Sequence, residues 1–234
     1  MAYDRFYTIL TWLVRKLVTV KVEGEENLPK TGACLLTTAH TSRLDTIFLM
    51  VAIGRRDAIP LVATEYKKSI IGPLLDAIGV IWLDRAGTDF KALQQVGDYL
   101  NKGWMLGIAP EGQRSKTNEL MQGKPGSALI AKKYKIPVIP VALEGSTDMW
   151  YWFKRLKKMR VTVRFGEKFS VPDKADEEDN KAWFTRATDE IMCHIAVLLP
   201  PERWGFYAEH PRLKELLAEK KFTHTEVNDD SNQG

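Results

Sequence analysis

Apolar and polar positions in this chain switch repeatedly between a helical period and a strand period. Residues 2–17 spread apolar side chains over much of a helical surface and predict a short amphipathic N-terminal helix. Val18 to Val22 (VTVKV) alternates and predicts a strand. After the turn-like GEENLPKTG, the run Ala33 to Ala39 (ACLLTTA) is small, apolar and β-capable, as a buried strand would be. Helical signals resume at Ser42 and continue to about Ile53. Further strands are predicted over Ile59–Thr64, Val80–Leu83, Trp104–Ala109 and Pro137–Leu143. Between them fall helices over Lys67–Ala77 (broken at Gly72-Pro73), Thr88–Asn101 and around Ser127–Tyr134. Arg160–Phe165 alternates as a candidate edge strand, and Ala182–Leu199 reads as an amphipathic helix that stops at Pro200-Pro201.

Several of these strands are continuously apolar, which is how strands covered on both faces look. The pattern predicts an α/β fold, a mostly parallel central sheet flanked by helices, with the short amphipathic helix in front. No repeat or Pro/Ser-rich linker divides the chain. The expected organisation is an N-terminal helix and strand over 1–22, a main α/β domain over 23–224 and a flexible polar tail over 225–234.

Composition changes this picture little. The chain has 234 residues, 44% hydrophobic and 27% charged, which excludes wholesale disorder and coiled coil. Its two cysteines, Cys34 and Cys193, cannot build a disulfide framework and are expected to be core thiols. The net charge of +4 is too mild to indicate nucleic acid, and no helix-turn-helix, stacking platform or phosphate-cradling loop supports such a partner. The longest apolar run, Phe6 to Val14, is cut off by Arg15 and Lys16, well short of the roughly 20 residues that span a bilayer. The expectation is a cytoplasmic protein that touches the inner face of a membrane without crossing it.

In open α/β sheets, ligands gather at the carboxyl ends of the strands. His40 to Asp45 follow the ACLLTTA strand, Asp84-Arg85 follow VIWL, and Pro110-Glu111-Gly112-Gln113-Arg114-Ser115 follow WMLGIA. On one continuous helix, residues five apart point about 140° from each other. With His40 in the strand-to-helix turn and Asp45 in the first helical turn, the carboxylate can reach back and orient the imidazole as a general base. Spacing alone leaves a second reading open, in which Asp45 merely favours the helix N-terminus and His40 is incidental. Arg85 and Arg114, after separate strands of one sheet, would converge on one cleft and suit a phosphate; solvated surface turns would carry the same residues. His194, His210 and His224 have no partner at a useful spacing and read as structural or surface groups.

The combination resembles the glycerolipid acyltransferases that include bacterial 1-acyl-glycerol-3-phosphate acyltransferases. His40 and Asp45 match that family's His-x4-Asp motif. Gly79-Val80-Ile81-Trp82-Leu83-Asp84-Arg85 matches its Gly…Arg strand, Pro110-Glu111-Gly112-Gln113-Arg114-Ser115 its Pro-Glu-Gly-x-Arg-Ser motif, and Ile136-Pro137-Val138-Ile139-Pro140-Val141 its two-proline strand. Ala39, Ala109 and Gln113 stand where the family commonly has Asn, Phe and Thr. The resemblance implies acyl transfer from a thioester, acyl-CoA or acyl carrier protein as co-substrate, to the hydroxyl of a phosphorylated glycerol. The most direct acceptor is the lysophospholipid 1-acyl-glycerol-3-phosphate, giving phosphatidic acid. Glycerol-3-phosphate, another lysolipid or glycolipid, or a non-catalytic lipid-binding role are the alternatives. It implies His40 as base and Asp45 as its orienter. It also implies Arg85, Glu111, Gly112, Arg114 and Ser115 on the acceptor, with Glu111 either contacting a glycerol hydroxyl or ordering the Arg114 turn. No metal and no cofactor is expected, because a thioester carbonyl is already electrophilic.

Two segments bear on the membrane. Trp150-Tyr151-Trp152-Phe153 precedes Lys154, Arg155, Lys157, Lys158 and Arg160, the composition of an anchor on anionic lipid. A core aromatic cluster beside a solvated basic face would look the same. Trp12, with Phe6, Leu10 and Leu13, is a second candidate contact on the first helix.

Overall fold

The computed structural model describes residues 2–87, 89–146 and 158–219. Helix α1 (Ala2–Leu17) runs directly into strand β1 (Val18–Glu23). There follow β2 (Cys34–Thr38), α2 (Asp45–Ile53), β3 (Ala58–Ala63), α3 (Gly72–Ile78), β4 (Ile81–Leu83), α4 (Phe90–Asn101) and β5 (Met105–Ile108). The second half contains α5 (Gly126–Tyr134), β6 (Val138–Glu144), β7 (Met159–Phe165) and α6 (Asn180–Val197). The strands form one seven-stranded sheet in the order β1-β7-β6-β2-β5-β3-β4. Every pairing is parallel except β6 with β7. The trailing segment that held the Trp150, Trp152, Phe153, Lys154 and Arg155 reading lies outside the described residues except from Lys158 onward, as does the polar tail.

Strand period explains the two cores. In β2, Cys34 and Leu36 point to one face and Leu35 to the other. The Cys34–Leu36 face packs on α2, whose sequence DTIFLMVAI is apolar all round because α2 is buried from Ile47 to Ile53. The Leu35 face carries α4, α5 and α6, with Ile191, Ile195 and Tyr207 sealed against it. Both cysteines sit in these cores, and burial pushes each thiol up to about 12. Helix starts follow capping chemistry. The Asp89 carboxylate accepts from Ala92 N–H at 3.0 Å, and the Asp179 carboxylate accepts from Lys181 and Ala182 N–H.

One expectation is corrected. Arg160–Phe165 was expected at a sheet edge, yet β7 lies inside the sheet between β1 and β6. Its alternation reports that one face is covered and the other open; it says nothing about lateral neighbours. Met159, Val161, Val163 and Phe165 enter the α2 core. On the open face, Arg164 pairs with Glu23 of β1 at 2.5 Å and with Glu144 of β6, tying down both neighbours. The predicted Lys67–Ala77 helix divides into a 3-10 turn over Thr64–Lys68 and α3, with Pro73 in the first turn of α3, where its missing N–H costs nothing.

Candidate active site

Strand β2 ends at Thr38, the chain turns through Ala39–Leu44, and α2 begins at Asp45. That turn brings His40 Nδ1 to 3.2 Å from Asp45 Oδ2. The same oxygen accepts from the N–H groups of Thr41 (2.9 Å) and Ser42 (2.7 Å), which fixes the carboxylate. Asp45 is 2% exposed, whereas the His40 side chain remains partly open. A carboxylate only accepts, so the imidazole nitrogen facing it carries a proton, and Nε2 is the nitrogen not engaged by the acid. Asp45 Oδ1 is buried without a hydrogen-bond partner.

The loop after β5 grips the His40 backbone from the neighbouring strand. Glu111 Oε1 accepts from His40 N–H at 3.1 Å, and Ser115 N–H donates to His40 C=O at 2.8 Å. Glu111 Oε2 accepts from Met121 N–H at 3.0 Å, and the residue is 1% exposed. Burial pushes its carboxyl above the usual range, against the pull of those two N–H groups and the neighbouring His40 and Arg203. Glu111, expected on the acceptor or in support of the Arg114 turn, therefore uses both oxygens inside the protein and ties this loop to the His40 turn. Ser115 is buried in the same strap.

Arg85 lies at the end of β4 and donates Nη1 to Gly112 C=O, while Nη2 pairs with Glu65 at 2.9 Å. Gly112 has φ +68°, a conformation glycine adopts freely. Arg114, expected to converge with Arg85, is half-buried and lies outside the cavity lining.

A cavity of about 340 Å³ opens at this place. His40, Asp45, Arg85 and Gly112 line its polar end, and Leu49, Met50, Ile53 and Ala58 line an apolar end between α2 and β3. The ring of Tyr66 stands edge-on to His40, 6.4 Å between centroids, and also lines the cavity. Among the described residues, no group of three His, Cys, Asp or Glu side chains is placed to hold a metal ion.

Pattern reading of the sequence misses Arg203. This residue of the 3-10 turn Pro201–Arg203 is 7% exposed. Its Nε donates to Asn118 C=O (3.0 Å) and its Nη1 to Leu143 C=O (2.8 Å), and its own C=O accepts from Leu120 N–H (2.9 Å). It thus clips the 111–121 loop to the end of β6. Burial pulls the guanidinium below its ordinary value, and the charges of Glu144, Asp45 and Glu111 oppose that pull. No motif marks an isolated arginine some sixty residues beyond the strand it braces; the only signal is a charge beside Pro200-Pro201 at the end of an apolar helix.

The family model described as "Acyltransferase" matches residues 19–144, which include every motif residue named above. A Bacillus subtilis 1-acyl-sn-glycerol-3-phosphate acyltransferase is 30% identical over 145 residues, covering 62% of this chain and 71% of that protein. A Mycoplasma pneumoniae protein named "Probable 1-acyl-sn-glycerol-3-phosphate acyltransferase" is 27% identical over 176 residues, covering 72% of this chain and 66% of its own length. A second such relative, from Mycoplasma genitalium, is spanned over 60% of its length. The solved structure of the 1-acyl-sn-glycerophosphate (LPA) acyltransferase PlsC from Thermotoga maritima shares the fold, with a TM-score of 0.56 and 23% identity over 81% of this chain and 79% of that one. With the family match spanning more than half of the sequence, the chain belongs to the acyltransferase family.

Proposed function

We propose that the protein transfers a fatty acyl group from a thioester, acyl-CoA or acyl carrier protein, to the free hydroxyl of 1-acyl-glycerol-3-phosphate, yielding phosphatidic acid. The observation that carries this reading is the buried Asp45 holding His40 Nδ1 at the polar end of a cavity whose other end is apolar. His40 Nε2 takes the acceptor's hydroxyl proton as the oxygen attacks the thioester carbonyl. The tetrahedral adduct collapses, the C–S bond breaks, and the imidazolium returns its proton to the leaving thiolate. General-base help of this kind is worth about 10²–10⁴-fold. Asp45 stabilises the imidazolium without taking its proton. Arg85, at the same end of the cavity, suits the acceptor's phosphate. The names of the relatives support the choice of acceptor over glycerol-3-phosphate.

The acceptor is a lipid, and α1 supplies a surface for meeting it. Ile9, Trp12, Leu13 and Leu17 project from α1 exposed, and Ile70, beside the 3-10 turn that carries Tyr66, is 93% exposed. Lys16 sits over the Trp12 ring at 5.0 Å, with Arg15 beside it and Lys67 and Lys68 on the Tyr66 turn. Apolar side chains rimmed by cations fit an anionic membrane surface, here the inner face. Among the described residues no helix is long and apolar enough to cross a membrane.

The decisive assay follows thiol release from acyl-CoA in the presence of 1-acyl-glycerol-3-phosphate. His40→Ala should abolish turnover with an unchanged melting temperature. Near-wild-type turnover in that variant would overturn the reading.

A further inference from the structure

The Gly112 turn gathers two cations, only one of them expected from the motifs. Arg85 reaches it through the Gly112 carbonyl. Lys124 crosses its other side: a Cβ on Gly112 would lie 3.0 Å from Lys124 Cδ and 3.3 Å from its Nζ. Lys124 N–H is anchored to Pro110 C=O at 2.8 Å, so the base of the side chain is fixed to the same loop. Both cations line the cavity that contains His40. Their electrostatic states differ. Arg85 is paired with Glu65, whereas the Lys124 ammonium has no hydrogen bond or ion pair among the described residues.

Helix α5 begins two residues later and also faces this cavity through Gly126 and Ser127. Its first helical bond runs from Leu129 N–H to Pro125 C=O, so the N–H groups before Leu129 have no partner within the helix. Ser127 Oγ, on a residue that is fully buried, has no hydrogen-bond partner either. A loose ammonium, a free helix N-terminus and an unpartnered buried hydroxyl on one cavity wall all favour the same ligand chemistry, a phosphoryl group.

We propose that Lys124, together with Arg85 and the first turn of α5, forms part of the phosphoryl-binding end of the cavity. The source of the phosphoryl group rests on the acyl-transfer reading. It is either the acceptor's phosphate or a phosphate of coenzyme A. Lysine suits a site that must admit and release a substrate, being a compact point charge on a flexible stem.

The test uses the full chain and inorganic phosphate as the probe, with binding followed by ³¹P line broadening, which needs no turnover. Lys124→Gln should weaken phosphate by about tenfold or more, equivalent to about 1.4 kcal/mol or more. Lys124→Arg should retain it within about threefold, and Lys214→Gln, a surface control paired with Glu209, should leave it unchanged. In turnover, a KM increase of about tenfold for 1-acyl-glycerol-3-phosphate with a steady kcat assigns the site to the acceptor. A KM increase for acyl-CoA that is absent with acyl-pantetheine assigns it to the donor. Unchanged phosphate affinity in Lys124→Gln overturns the proposal. His40→Ala should bind phosphate like wild type, so retained turnover there would sink the acyl-transfer mechanism while leaving the phosphate site standing.

Discussion

Glu111 separates two explanations of a motif carboxylate, contact with substrate or support of the His40 turn. Its two oxygens accept from His40 N–H at 3.1 Å and Met121 N–H at 3.0 Å, at 1% exposure. In Glu111→Gln, one of those acceptors becomes an NH₂ donor aimed at a backbone N–H. A buried donor left unsatisfied costs about 1–3 kcal/mol. Burying a neutral amide in place of a charge returns part of that, leaving a net loss of about 1–2 kcal/mol. For a chain of this size each kcal/mol moves the melting temperature by about 2–4 °C, so a fall of about 2–8 °C is expected. Moving His40 by a fraction of an ångström should lower kcat by about 10–10²-fold, since a displacement of about 1 Å costs about 10²-fold. The acceptor KM should stay within about twofold. The measurement is scanning calorimetry with steady-state kinetics at pH 8. An unchanged melting temperature with a raised acceptor KM would refute the argument and return Glu111 to the substrate.

Other outcomes follow from neighbouring contacts. Asp45→Asn keeps the size of the group but can turn an N–H toward His40 Nδ1, so kcat should fall about 10²–10⁴-fold with little change in KM; a loss below tenfold would count against tautomer control. Arg203→Met removes donors from Leu143 and Asn118 carbonyls and should cost about 3–6 kcal/mol in urea unfolding at about 1.5–3 kcal/mol per charged bond, with Arg203→Lys recovering part. Burial raises the Glu190 carboxyl, but His194 and Arg212 outweigh it and hold it at about 2. A carboxyl depressed in the fold contributes stability above its unfolded value and loses it as pH falls toward the folded one. The melting gap between wild type and Glu190→Gln should therefore close between about pH 4.5 and pH 2. Trp12→Ser with Leu13→Ser should reduce flotation with anionic liposomes and leave turnover on detergent-dispersed substrate unchanged; equal flotation would remove α1 from the membrane contact.

The strand–helix order was legible because most strands are covered on both faces and most helices carry a stripe, so period alone separates them. The lateral place of β7 was not legible, because hydrogen bonding to β1 and β6 leaves no trace in which side chains are apolar. His40 and Asp45 were readable as a pair only through the turn that breaks helical geometry between them. Glu111 and Arg114 were correctly placed on the loop, but the choice between the two readings of Glu111 was not legible, since it depends on the bend that joins Ser115 to His40. Lys124 and Arg203 were invisible. One is an ordinary lysine until α5 turns its first residues toward the cavity, and the other is a distant arginine until the chain folds back onto Asn118.

The pairing of β1 with β7 sets an order on biosynthesis. Val18 must wait for Met159 and its neighbours to leave the ribosome before this border of the sheet can zip, a closure across most of the polypeptide. Until then α1 has no finished scaffold behind it and carries its tryptophan outward. Arg203 arrives later still, and its bond to the Leu143 carbonyl can close only once some sixty further residues have been made.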